Sequence, residues 1–383
     1  MPRPAVSPNA IGRQSTLAVA TLAHKEMVAA NLHGMDAVSS ATVSATPITI
    51  FDLNGEELFH DYPLVDAAGA VVGTVRAAAH RALGAPLISV SHAAPGWDAA
   101  SAVRMATESL HATAPQATVT SWRLVCYAYP KIGVELAYTV GRKSATELFD
   151  ASSGGAVGTV TKDSHQFTRY SLLGTLKTGA AARVKASRTA EAQIAKVPTG
   201  IPIHPLTYTK QGLVNLSPYC AGSGIGLTHY AQITNYFCVD ASAQMLLEHY
   251  GWNYTQNQIA VAMGTTAAQG GTSGTGLTTG FKSLTDNTLL LTFDGGATRA
   301  QQFADAVTEV SANRPLFTQV PHHYRVCVGY SEVISGILGL VTNQMLYIYD
   351  PWPWNADLCK PGAPYWETWA SSPVMWFGIV HHA

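Results

Sequence analysis

Gln232-Ile-Thr-Asn-Tyr-Phe-Cys238-Val-Asp-Ala-Ser-Ala-Gln-Met-Leu-Leu-Glu-His-Tyr250-Gly251 is the stretch on which the fold turns. After Cys238, apolar residues fall at Val239, Ala243, Leu246 and Tyr250, the spacing of one helix face. Gly251 suits the position just past the helix end. Cys238 therefore opens a helix, where the backbone N–H groups favour negative charge and draw a thiol toward the thiolate. Thr234 and Asn235 are candidate caps. The plain alternative is a buried structural cysteine, since free Cys is among the most buried residue types. Gln232 stands six residues upstream. Its amide, with the Cys238 N–H, can hold a tetrahedral oxyanion.

Further along stands His323-Tyr-Arg-Val-Cys-Val-Gly329-Tyr330, where Val326 to Tyr330 patterns as a strand with His323 at its start. A strand-borne imidazole can activate a thiol as base and then protonate a leaving amine as acid. Met345-Leu-Tyr-Ile-Tyr349 alternates like another strand and delivers Asp350, which can orient the imidazole. Trp352 can shield that hydrogen bond from water. His322-His323 also reads as a solvated, core or metal-binding pair. Two adjacent strand residues point to opposite faces, which argues against one shared metal.

Order and spacing together resemble a papain-like cysteine peptidase, nearest the bacterial C39-like branch, over about residues 214–383. That family carries an oxyanion Gln six residues before its Cys, as Gln232 stands here, and a His six residues before a strand Gly, as His323 and Gly329 stand here. This register selects His323 over His322. Its third member is Asn or Asp, often followed two residues later by Trp, as in Asp350-Pro351-Trp352. Gly270-Gly271-Thr272 is similar to the family's substrate-backbone loop, and Gly permits close main-chain approach. The resemblance implies catalytic Cys238, His323, Asp350 and Gln232, and substrate-binding Gly270, Gly271 and Trp352. It implies no cofactor and no metal. Two departures stand out. Phe237-Cys238-Val239 replaces the family's usual residues around the Cys, and the 27 residues from His323 to Asp350 fit an inserted loop, Ser331 to Asn343.

The rest of the chain frames this unit. It has 383 residues, 47% hydrophobic and only 12% charged, so it folds around a sizeable core. A net charge of −1 gives no footprint for nucleic acid. No apolar run is long enough to span a membrane. Leu17 to Ala30 is interrupted by His24, Lys25 and Glu26 and lacks a secretory h-region, so the expectation is a cytoplasmic protein or one exported by a non-classical route. Five cysteines are scattered without a CxxC pair, which disfavours zinc-ribbon and thioredoxin readings. The pairing of Cys220 and Cys359 stays open.

Residues 1–162 read as a smaller α+β unit. A helix is expected at 16–33, followed by a hairpin at Asn54-Gly55, a third strand Val71 to Arg76 and a short helix Ala77 to Leu83. A strand Leu87 to Ser91 and a helix Asp98 to Ala112 come next. Strands then flank Pro130, and a last hairpin lies around Gly154-Gly155. No cluster of catalytic type appears there. Residues 163–213, with Lys177, Arg183, Lys185, Arg188, Lys196 and then Pro198, Pro202 and Pro205, read as a linker, helical near Thr189 to Lys196, with a processing site. Residues 214–383 are the papain-like domain, a helical half plus an antiparallel β half.

The expected activity is hydrolysis of peptide bonds by a Cys-His-Asp triad through a thioester. The chain is expected as a zymogen, its N-terminal unit an intramolecular inhibitor or a permanent accessory domain. A peptide or protein is the expected partner, with no nucleic acid and no membrane. The alternatives are a papain-like or transglutaminase-like acyltransferase and a non-catalytic peptide-binding protein.

Overall fold

A computed structural model of the protein describes residues 7–158, 169–197, 209–217, 220, 226–333 and 344–383. The N-terminal part contains α1 (Arg13–Ala29), β1 (Thr42–Val43), β2 (Ile48–Asp52), β3 (Glu57–Val65), β4 (Val71–Ala78), β5 (Leu87–Ser91), α2 (Ala99–Thr113), β6 (Thr118–Ala128), β7 (Lys131–Val140) and β8 (Lys143–Asp150). Then come α3 (Leu172–Thr175), α4 (Ala180–Ile194) and β9 (Thr209–Leu213). The C-terminal part contains α5 (Cys238–His249), α6 (Gln256–Met263), α7 (Gly274–Leu284), β10 (Leu289–Phe293), α8 (Arg299–Ser311), β11 (Leu316–Val320), β12 (His323–Val333), β13 (Gln344–Tyr349), β14 (Tyr365–Thr368) and β15 (Trp376–His382). The class is mixed α+β.

These strands join in one sheet ordered β10-β15-β11-β12-β13-β14-β5-β4-β3-β2-β6-β7-β8, with β1 on β3 and β9 on β12. Only β2 with β6 is parallel among the described strand pairs. The junction between the two parts is itself a strand pair. Tyr365, Trp366 and Glu367 of β14 face Ser91, Val90 and Ser89 of β5. Burial follows the same continuity: apolar residues of both parts form one main core cluster, with a small satellite around Val125 and Leu148. A Cβ on Gly329 would lie 2.5 Å from the Leu213 side chain, so glycine there leaves room for that side chain where β9 pairs antiparallel with β12.

Several elements differ from the sequence reading. The first helix begins at Arg13 and stops at Ala29, because Asn31 (φ 49°) and Gly34 (φ 79°) take left-handed conformations that end it. Ala77 and Ala78 are strand, not helix: they pair with His60 and Phe59, and this pairing overrides alanine's helical preference. Only a single 3-10 turn, Arg81–Leu83, follows, closed by Gly84 at φ 90°. The last expected hairpin is instead β7 with β8, turning at Gly141. Ala156 makes just one bridge to Phe149, and residues 159 and 160 lie outside the described residues.

The stretch expected as a linker is structured where it is described. α4 buries Ser187 and Ile194, and Glu191 pairs with Arg81 at 2.8 Å. β9 is a strand of the sheet. Pro198, Pro202 and Pro205, and residues 334–343 of the expected inserted loop, lie outside the described residues. Asp98 caps α2 as expected, accepting the Ser101 N–H at 2.9 Å.

Candidate active site

Cys238 is the first residue of α5, whose Val239, Ala243 and Leu246 are buried and whose chain leaves through Gly251 at φ 87°. The expected caps are not used. The N-cap position is Phe237, with no side-chain hydrogen bond, so no capping side chain takes up the helix's first N–H groups. β12 begins at His323, directly after the tight Pro321-His322 turn from β11. His322 lies in that turn at φ 56°, exposed, and not in the strand as the sequence pattern suggested. β13 ends at Tyr349 and hands Asp350 to the same place.

His323 is fully buried, and its Nε2 lies 2.7 Å from Asp350 Oδ1. A carboxylate oxygen accepts, so Nε2 carries the proton and Nδ1 is the nitrogen left for the thiol. Asp350 Oδ1 also accepts the Trp352 N–H (2.9 Å), and Oδ2 accepts the Tyr365 hydroxyl (3.0 Å). Tyr365 in turn accepts from Arg325 Nη1 at 2.9 Å. Arg325 and Glu367 are a fully buried ion pair at 2.6 Å.

The charges follow from these contacts. Burial pushes the Cys238 thiol up, but the neighbouring His323 imidazole, then the charge of Lys131, outweigh it and hold the thiol below its ordinary range. Burial pulls His323 down, and the charge and hydrogen bond of Asp350, with the Cys238 contact, bring it above its ordinary value. Burial pushes Asp350 up, and His323 above all draws it below the usual carboxylate range. Each group favours its charged form because the others are charged. Such an arrangement can hold a thiolate beside an imidazolium.

Gly270 and Gly271 line one cavity of about 520 Å³ with Cys238. Gly271 has φ 141°, a conformation that side chains rarely adopt, and this leaves the loop's main chain bare beside the thiol. Trp352 is placed elsewhere: it lines an adjoining cavity of about 140 Å³ with Asp350 and Tyr365. Gln232 is fully buried and is not among the residues lining the Cys238 cavity. Its Nε2 donates to the Thr234 carbonyl (2.6 Å), and its backbone N–H donates to Pro351 O (2.9 Å). Gln256 holds this loop from below, donating to Ala231 O and accepting from Ile233 N.

Other residues at the site escaped the sequence reading. His229 stacks on Tyr349 (4.3 Å) and donates Nε2–H to Asp350 O (2.8 Å), and burial holds it near pKa about 4, hence neutral. Asp240, two residues into α5, is buried with one oxygen accepting from the Thr265 hydroxyl. Lys131 enters from the N-terminal part. A disulfide joins Cys220 to Cys359, clamping the segment before the site to the loop after Asp350, while Cys126, Cys238 and Cys327 are free. Among the described residues no three His, Cys, Asp or Glu side chains are grouped as metal ligands, and no helix is long and apolar enough to cross a membrane.

A Cys-bearing helix packed on a mixed sheet, with His at the start of one strand and Asp just past the end of the next, defines an α+β class. Residues 225–371 match the family model described as "Peptidase_C39 like family", and this C-terminal part is a domain of that family. Membership suggests cysteine peptidase activity. No curated protein matches the chain.

Proposed function

We propose that the protein is a cysteine peptidase in which Cys238, His323 and Asp350 act as a triad. The observation that carries this reading is the commitment of His323 Nε2 to Asp350, which leaves Nδ1 for the thiol at the helix start. The thiolate attacks a peptide carbonyl and the C–S bond forms. His323 gives its proton to the leaving amine as the C–N bond breaks. Water then loses a proton to His323 and attacks the thioester, the C–O bond forms, and Cys238 leaves as thiolate. The Cys238 N–H and Gln232 hold the oxyanion. An amide carries two N–H groups, and Thr234 takes one from Gln232. Gly270 and Gly271 pair with the extended substrate main chain.

The N-terminal unit is read as a permanent accessory domain in preference to a released pro-domain. The β5–β14 pairing and the shared core favour this alternative.

The test is labelling by a thiol-directed epoxide together with peptide cleavage read by mass. The expected result is one label, on Cys238, and turnover reduced roughly 10⁴-fold or more in Cys238→Ala and in His323→Ala. Full cleavage by Cys238→Ala would sink the reading. An added amine that captures the acyl group in place of water would move the protein to the acyltransferases.

A further inference from the structure

The hairpin of β6 and β7 reaches from the N-terminal part into the cleft. Its end, where Ala128 pairs with Lys131, sets Tyr127, Ala128 and Lys131 on the wall of the cavity that holds Cys238 and Gly271. Lys131 is only 7% exposed, and its ammonium lies 4.1 Å from the centre of the Trp352 ring. Two other deeply buried cations have a carboxylate: Arg76 has Asp61 at 2.8 Å and Arg325 has Glu367 at 2.6 Å. Among the described residues Lys131 has none at ion-pair distance. Burial pulls its ammonium down, and the charges that support it are those of Cys238 first, then Asp350 and Asp150.

A buried cation without a counter-ion is costly. In the resting enzyme the Cys238 thiolate partly serves that purpose. On acylation this charge vanishes, because the thiolate becomes a neutral thioester. Asp350 is already engaged by His323, Trp352 and Tyr365, and Asp150 is occupied by Tyr127 and the Ser152-Ser153 turn. The ammonium then needs an anion from the cavity side, and the group arriving there is the substrate.

We propose that Lys131 is the specificity residue of the cleft and binds a carboxylate of the peptide substrate. This rests on the cysteine peptidase reading. The carboxylate has two sources, a free peptide C-terminus or an Asp or Glu side chain beside the scissile bond, and the experiment separates them. A cation on the N-terminal unit would also make that unit part of the substrate site.

The full chain is assayed on four matched peptide sets, with Glu or Gln beside the scissile bond and with a free or amidated C-terminus. The ratio of kcat/KM between acid and amide is read, so a change in overall activity does not mimic the effect. The wild type and Lys131→Arg are expected to favour one acid over its amide by 10-fold or more. Lys131→Met is expected to lose that preference and Lys131→Glu to invert it. A preference unchanged in Lys131→Met overturns the proposal. So does a uniform rise in rate on every peptide, which would make the hairpin a plug. A second readout does not need turnover: protection of Cys238 from iodoacetamide by product-like peptide acids and their amides. Acids should protect wild type and not Lys131→Met. If no peptide is cleaved but acids still protect, the peptidase reading fails while the carboxylate site stands. If acids and amides protect equally, the carboxylate site fails.

Discussion

His323 lies between two partners that both favour its charged form, and this fixes the sign of the pH dependence. Activity is expected to rise as Cys238 loses its proton, at a pH below the ordinary thiol range, and to fall as His323 loses its own, above the ordinary imidazole range. Asp350 is the group that raises His323. In Asp350→Asn the alkaline limb should therefore move to lower pH, with kcat/KM reduced by roughly 10-fold near neutrality. A pH profile of kcat/KM checks this, and an alkaline limb that stays in place would remove Asp350 from the proposed role. Cys238, His323 and Asp350 were legible because each sits at an element boundary that periodicity marks: a helix start, a strand start and a strand end. Lys131 and Tyr365 were not, because neither has a local pattern. Lys131 sits at the end of a local hairpin that reaches the site only because β5 and β14 join the two parts, Tyr365 lies on β14 itself, and a hairpin tip such as Pro130-Lys131 looks the same in sequence whether it faces water or a thiol.

α5 carries a second buried ionisable group in its first turn. Asp240 is fully buried. One oxygen accepts from Thr265 at 2.8 Å and the other lacks a partner among the described residues. Burial raises its pKa from 3.8 to about 7. The folded state therefore binds a proton that the unfolded chain releases near pH 4. Stability is unpenalised below that pH, is lost progressively as pH rises toward 7, and stays reduced above it. The loss is at most about 4 kcal/mol for this shift. Asp240→Asn keeps the shape without the charge. Its unfolding free energy relative to wild type is expected to improve steadily from pH 4.5 to pH 8, measured by urea melts at both ends. A difference independent of pH would show that the Asp240 charge is not buried as described. The helix itself was readable from Val239, Ala243 and Leu246, but its cap was not. Thr234 and Asn235 have the right chemistry, yet the Thr234 hydroxyl accepts the Tyr236 N–H (3.4 Å) within the preceding loop, and the cap position falls to Phe237.

The two parts of the chain are joined by more than a strand pair. Tyr129 donates to Glu367 (2.9 Å), Trp366 Nε1 to His33 O (3.1 Å), and Ser371 to Leu87 O (3.0 Å). Glu367 is the carboxylate that neutralises Arg325, and Arg325 holds Tyr365 against Asp350. Loss of the N-terminal unit would turn β14 into an edge strand and admit water to a buried ion pair and to the fully buried Trp366. Domain division read from composition could not reveal this, since the composition change near residue 200 is real while the sheet crosses it. The consequence is measurable. A protease site placed after the exposed Lys196 cuts the chain without removing any described strand. After cleavage the two pieces are expected to co-elute in gel filtration and to separate only in denaturant, with peptidase activity within about twofold of the uncut chain, since β5–β14 and the Tyr129–Glu367 contact need no covalent link. Separation of the pieces in native buffer, with higher activity in the C-terminal piece alone, would instead establish the N-terminal unit as a released inhibitor and would take the wall bearing Lys131 out of the mature cleft.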